Sequence, residues 1–286
     1  MEKVTDDAAT PLSGLTETIR IVPRGGWLKI NWGEIWRYRE LLYFLTWRDI
    51  KIRYKQTILG AAWAILQPLL SMLVFWIFLG KLAKVPSDNL PYPLFIYSGL
   101  LPWLFFASVV TNASGSLLGN ERLVSKIYFP RLIIPSSSVG VALVDLAMAM
   151  VMLVAMMGYY HIWPGVTLMI LPMLVLLMIA AALGVGLFLC ALNIEYRDFK
   201  YVVPFTIQLW MFMTPVVYPA SLVPEAYRGY LAINPMAGLV ESFRSALLGR
   251  AIPWELLAVS AGISVVLLGV GLMLFRRTEY KFADLI

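Results

Sequence analysis

Asp145 is the one carboxylate set well inside an apolar run, the stretch from Leu132 to Ile194. An ionised acid surrounded by hydrocarbon costs several kcal/mol unless it meets polar groups. Three roles are therefore open to it: a hydrogen bond to a neighbouring helix, the lining of a wet pore, or carriage of a proton. The single histidine, His161, stands beside Trp163 and Pro164, and the single cysteine, Cys190, sits among apolar residues. Neither has an acidic or thiol neighbour in sequence, so neither metal ligation nor nucleophilic catalysis is indicated. The chain contains no G-x-x-x-x-G-K-[ST] phosphate loop. We expect it to bind no cofactor of its own, and if it drives transport with ATP the nucleotide must lie on another polypeptide.

The elements that position these residues are membrane spans. Hydrophobic residues make up 60% of the chain and charged residues only 14%, more apolar surface than a soluble domain can bury. No charge occurs between Lys55 and Lys81, a reach of about 36 Å as helix against a hydrocarbon core of roughly 30 Å. The expected class is an all-α integral membrane protein with spans at 58–80, 94–118, 133–159, 166–190, 201–218 and 255–275. Six spans put both termini on one side. Of the 23 basic residues, all but Lys81, Lys84, Arg228, Arg244 and Arg250 fall on that side. This bias marks the cytoplasmic face, so the net charge of +6 reads as topology and attraction to anionic lipid, not as a nucleic-acid footprint. The opening MEKVTDDAATPL lacks a basic region and an adjoining apolar core, and a cleaved signal peptide is not expected.

Residues 1–33 are a polar lead-in. From Glu34 to Thr57 a helical wheel groups Trp36, Tyr43, Trp47, Ile50 and Tyr54 on one side and Arg37, Arg48, Lys51 and Lys55 on the other, with Arg53 in the same basic run. Such an amphipathic helix sits at the interface, aromatics at headgroup depth. Leu41, Leu45 and Ile52 form a second apolar ridge, which suggests contact with protein as well. Asn120 to Arg131 reads as one short cytoplasmic helix, capped by Asn120 and stopped by Pro130. Its Leu123, Ile127 and Tyr128 alternate with Arg122 and Lys126, as a knob fitted to a partner's groove would; a simple loop is the other reading.

After the fifth span, Pro215, Pro219, Pro224 and Pro235 break the chain. The following apolar stretch, Met236 to Leu248, is too short to span and pairs Glu241 with Arg244 at i, i+3. It reads as a re-entrant or surface-lying outer hairpin. A sugar-conducting pore needs wetted polar groups and flat aromatic faces. Trp63, Gln67, Phe75 and Trp76 in the first span, with Phe205, Gln208, Trp210, Phe212 and Tyr218 in the fifth, are the candidates. Gly115-x-x-x-Gly119 and Ala180-x-x-x-Gly184 permit close helix approach.

These residues resemble the membrane subunits of type-2 ATP-binding-cassette exporters for O-antigen, capsule and teichoic-acid-like polysaccharides. The resemblance rests on Arg48-Asp49-x-Lys51-x-Arg53-Tyr54-Lys55-Gln56-Thr57-x-x-Gly60 with Trp63 and Pro68, on Tyr196-Arg197-Asp198, and on Asn234-Pro235. It runs over roughly 34–286 in element order. It implies an interface helix at 34–57, a coupling helix at 120–131 seated in an ATPase, outer gate helices at about 219–249 and a six-span domain over 58–286. It also implies a homodimeric pore in a bacterial plasma membrane, two cytoplasmic ATPase subunits carrying ATP and Mg, and a lipid-linked glycan as substrate. A drug or small lipid is the alternative cargo within the same superfamily. A proton-coupled transporter would call for several intramembrane ionisable groups, and a membrane transferase for a cluster of His, Asp or Glu; neither is present in the sequence.

Overall fold

The computed structural model describes residues 32–55, 60–196 and 198–279. Most of the lead-in, together with Gln56, Thr57 and Arg197 of the resemblance motifs, lies outside the described residues. The described chain is built of helices: α1 (Trp32–Arg37), α2 (Arg39–Lys55), α3 (Trp63–Phe75), α4 (Tyr92–Gly119), α5 (Glu121–Lys126), α6 (Ile133–Tyr159), α7 (Leu171–Glu195), α8 (Phe199–Phe212), α9 (Glu225–Ile233), α10 (Pro235–Leu247) and α11 (Trp254–Thr278). A 3-10 turn at Gly60–Ala62 precedes α3, and a π-helical segment, Trp76–Leu82, extends it.

Among the described residues, five stretches are long and apolar enough to cross a membrane: Gly60–Leu82, Tyr92–Gly119, Ile133–Tyr159, Val166–Glu195 and Trp254–Thr278. The protein is a multi-pass, all-helical membrane protein. The expected span at 201–218 differs. Its helix, α8, has 14 residues, about 21 Å, and falls short of a hydrocarbon core of roughly 30 Å. The chain nonetheless crosses there. Ile194 and Phe275 share one apolar cluster at the basic end, while Thr167 meets Ala246 at the other end. Residues 199–247 must therefore carry the chain from one end to the other, first as α8 and then through the non-helical, buried stretch Thr214–Val217.

The core sits on α4, which is buried on every side from Leu94 to Trp103 and packs against α3, α6, α7, α8 and α10. Without water, packing must come from close van der Waals fit, and small residues supply it. A Cβ on Gly271 would lie 2.1 Å from the Gly184 carbonyl oxygen, so α7 and α11 touch backbone to backbone. Gly184 thus does what its small-residue motif suggests. Gly115 and Gly119 do not: an added Cβ at either meets nothing within 4 Å, because their face of α4 looks into an open cleft.

The basic end has its own smaller core, in which Leu45 of α2 packs with Leu117, Val124, Phe129, Cys190 and Phe275. This explains the second ridge on α2, since Leu41 and Leu45 both pack there while Ile52 stays exposed. Trp36, Tyr43 and Trp47 remain exposed on the other ridge.

Candidate functional site

Asp145 meets the interface helix. Arg53 forms an ion pair with its Oδ2, and the Tyr54 hydroxyl donates to its Oδ1. Of the three roles open to this carboxylate, hydrogen bonding to a neighbouring helix is present, and the neighbour is α2 instead of a span. Asp145 lies about 18 Å along α6 from Ile133 at ~1.5 Å per residue, so α2 runs beside α6 over this stretch. Gly140 allows this approach: a Cβ there would be 2.5 Å from Thr46 Cγ2, and Thr46 Oγ1 donates to the Ser137 carbonyl at 3.4 Å. Burial first, then the hydrogen bond and charge of Asp145, push the Tyr54 phenol well above its usual range, so it stays a donor. Of the other cations of α2, Arg48 pairs with Asp49 at 2.8 Å and borders the same cleft as Arg53, whereas Lys51 lies 5.4 Å from the Trp47 ring centroid and Lys55 is exposed.

Trp63 and Gln67 come together on α3 with Asp145, lining a cavity of about 480 Å³ between α3, α4 and α6. Arg53, Thr111 and Asn112 also border a second cleft of about 600 Å³, which reaches Gly119 and Asn120 at the basic end. Along α4, positions 108, 111, 112, 115, 116, 119 and 120 thus form one polar and small-residue stripe at helical spacing. The other aromatic candidates divide. Phe205, Gln208 and Phe212 are exposed on α8, whose buried residues are Val203 and Ile207. Phe75, Trp76 and Tyr218 are partly buried against the main core.

Trp210 has a different task. Its ring meets Phe106 edge-on with centroids 5.2 Å apart, and its Nε1–H donates to Asn234 Oδ1 at 3.1 Å. The same Oδ1 accepts from the Met236 N–H at 3.1 Å, capping α10, and Asn234 Nδ2 donates to Thr214 Oγ1 at 2.8 Å. Pro235 occupies the first turn of α10, where its missing N–H costs nothing. Asn234 therefore ties the broken end of α8 to the start of α10. Asn234→Ala should cost about 1–2 kcal/mol through the lost cap and hydrogen bonds. A melting temperature of the purified protein lowered by a few degrees would show it.

Every residue of α10 except Glu241 is buried, so this arm of the hairpin packs into the bundle. α9, with no buried residue and Tyr230 and Tyr227 exposed, is its surface-lying arm. In the last turn of α10 stands Arg244, 2% exposed, a residue whose reach the sequence did not disclose beyond its pairing with Glu241 at 2.8 Å. Its Nη2 donates to the Pro215 and Val216 carbonyls at 3.1 and 2.9 Å, its Nε to the Phe95 carbonyl at 3.3 Å, and its guanidinium lies 3.9 Å from the Phe95 ring centroid. Non-helical backbone at membrane depth survives only where its polar groups find protein partners. Arg244 supplies them.

At the basic end, α5 covers Glu121–Lys126 and stops there, with Ile127 in extended backbone. Asn120 does not cap it; its Nδ2 donates back to the Ser116 carbonyl at 2.8 Å and closes α4. Arg122, Lys126, Ile127 and Tyr128 are exposed, whereas Leu123 turns inward with Val124 and Phe129. Val124 and Phe129, which the sequence reading passed over, are what hold this corner to the bundle.

A family model described as ABC-2 type transporter matches residues 40–248. The chain is 32% identical over 255 residues to an O-antigen export system permease protein RfbA of Myxococcus xanthus, covering 88% of this chain and 97% of that protein. A Klebsiella pneumoniae protein of the same name is 28% identical over 260 residues, 91% of this chain and 98% of its own. A polysialic acid transport protein KpsM of Escherichia coli is 26% identical over 238 residues, 81% and 91% respectively. With a continuous match over most of the bundle, from α2 through the buried α10, the chain belongs to the ABC-2 type transporter family of membrane proteins.

Proposed function

We propose that this chain is the pore-forming subunit of an ATP-driven exporter that moves a lipid-linked polysaccharide such as O-antigen across a bacterial plasma membrane. The observation that carries the reading is the exposure of Gln67 on α3 and Gln208 on α8, flanked by Trp63, Phe205 and Phe212. Amides facing hydrocarbon are costly, so these two faces belong against a wet path. A second copy of the chain closes that path, since twofold pairing is the commonest symmetric assembly. The O-antigen and polysialic acid relatives supply the cargo class. Both termini lie in the cytoplasm by the basic bias of that end. Arg122, Leu123, Lys126, Ile127 and Tyr128 mark the corner that two ATPase subunits, carrying ATP and Mg, would engage. The interface helix, with Arg48, Lys51, Arg53 and Lys55, borders the same face. The segment 219–249, broken rigidly at Asn234-Pro235, closes the outer mouth and moves on either side of that break.

Cells lacking the chain should lose surface polysaccharide and accumulate the finished polymer inside, as read by glycan blotting of intact and lysed cells. Mass measurement of the intact complex should give two copies of this chain with two ATPases. Normal surface glycan in the deletion strain would overturn the substrate class, and lost tolerance to a drug in that strain would favour the small-molecule alternative.

A further inference from the structure

A groove of about 350 Å³ opens at the end opposite the basic one, between the end of the first span, the start of α4 and the end of α6. Met72, Leu73, Trp76, Met152, Ala155 and Tyr159 line it. Its wall is almost wholly apolar, and its volume holds about a dozen water-sized groups at ~30 Å³ each, the bulk of one acyl segment. Methionines give such a wall adaptable shape. The Tyr159 and Tyr160 rings meet edge-on at 5.1 Å, an aromatic pair at a helix end where headgroups begin.

The charge beside this groove is placed by an unusual backbone. Trp76–Leu82 is π-helical, and its wider turn brings residues i and i+5 onto one face. Lys81 thereby stands over Trp76, its Nζ 4.5 Å from the ring centroid. π-helical turns cost hydrogen-bond geometry and recur where a site needs a displaced side chain. The three arginines of this end are engaged within the chain: Arg228 with Glu225, Arg244 with Glu241, and Arg250 with the Asp88 carbonyl. Lys81 and Lys84 have no carboxylate partner among the described residues. Against the basic bias of the other end, two unpaired cations here call for an anion.

We propose that this groove binds one acyl chain of an anionic phospholipid, with Lys81 taking the lipid phosphate at its mouth. The tail fills the slot beside Trp76 and Met152, and the ammonium meets the headgroup where the tyrosine pair marks the interface. The occupant is a phospholipid because an apolar slot of one chain's bulk has a cation over its Trp76 wall, which neither a free phosphate nor a neutral lipid would use in full.

The complete complex, reconstituted in nanodiscs holding equal phosphatidylglycerol and phosphatidylcholine with the same acyl chains, is released into a native mass spectrometer and its retained lipids are identified. The wild type should retain phosphatidylglycerol over phosphatidylcholine by about fivefold, the effect of one lysine at a membrane surface. Lys81→Glu should bring the ratio to parity or below. Ala155→Trp, an exposed position on the groove wall, should reduce retention of both lipids. Parity in the wild type would overturn the proposal, as would an unchanged preference in Lys81→Glu. Loss of the two-copy species in Ala155→Trp with lipid retention unaltered would show a second copy seated in the groove and overturn it equally.

Discussion

Arg244→Met should leave the chain unable to hold its native bundle. Removing one partner of a buried, hydrogen-bonded ion pair costs about 3–5 kcal/mol, because the charge left behind has no water to turn to. Here Glu241 would lose its cation, and the Pro215 and Val216 carbonyls would lose the donors that make the broken end of α8 tolerable. A total of this size rivals the whole stability of many domains. Fluorescence-detected gel filtration after detergent extraction should show an aggregated or unfolded population in place of the wild-type peak. Arg244→Lys should rescue little, since one ammonium cannot reach the Phe95, Pro215 and Val216 carbonyls and Glu241 together. Gly99→Ala should reproduce the defect from the facing side: its Cβ would lie 2.3 Å from Arg244 Nη2 and 2.6 Å from the Val216 carbonyl oxygen, and the backbone oxygen cannot swing away. Wild-type elution of Arg244→Met would show that the hairpin stands without its arginine.

Ile127→Asp should have the largest effect that spares the fold. Ile127 is 58% exposed, so a carboxylate there is solvated in the isolated chain and the bundle should be unharmed. Seated against an ATPase it would be a buried, unpaired charge, which costs several kcal/mol. With tenfold for each 1.4 kcal/mol, the ATPase should bind at least ~100-fold more weakly and surface glycan should disappear while the chain accumulates normally in the membrane. Co-purification of the ATPase with the variant, against wild type, measures it. The neighbouring Val124→Asp would not serve, because Val124 is buried in the basic-end core and its loss would mix folding with coupling. Undiminished co-purification of the ATPase with Ile127→Asp would remove this corner from the interface.

These two positions also divide what is readable along the chain from what is not. Spans were legible because twenty or so consecutive apolar residues have no soluble use, and Ile133–Tyr159 coincides with the stretch expected from hydropathy. The α8 region was less so. Its composition remains apolar through Tyr218, and hydropathy cannot register that α8 ends at Phe212 and that the following carbonyls are satisfied by a side chain about thirty residues on. The short corner helix was expected from Asn120 to Arg131. Side-chain capping at Asn120 looked favourable by type, yet the amide found the nearer Ser116 carbonyl instead, and the helix stopped at Lys126.

Sequence by itself determined the class of this protein, the places of its long apolar spans, the basic end, the i, i+3 pairing of Glu241 with Arg244 and the block of residues by which its family is known. Those features are local or compositional: they follow from spacing and from the cost of charge in hydrocarbon. Tertiary structure alone decided which side chains meet. It joined Asp145 to Arg53 and Tyr54 across about ninety residues, turned Trp210 from a pore candidate into the donor that holds Asn234, buried α10 and left α9 on the surface, and opened the face of Gly115 and Gly119 instead of packing it. Each outcome depends on the approach of helices distant in sequence, governed by a glycine such as Gly140 or a reach such as that of Arg244, and no periodicity along one segment records the shape of another.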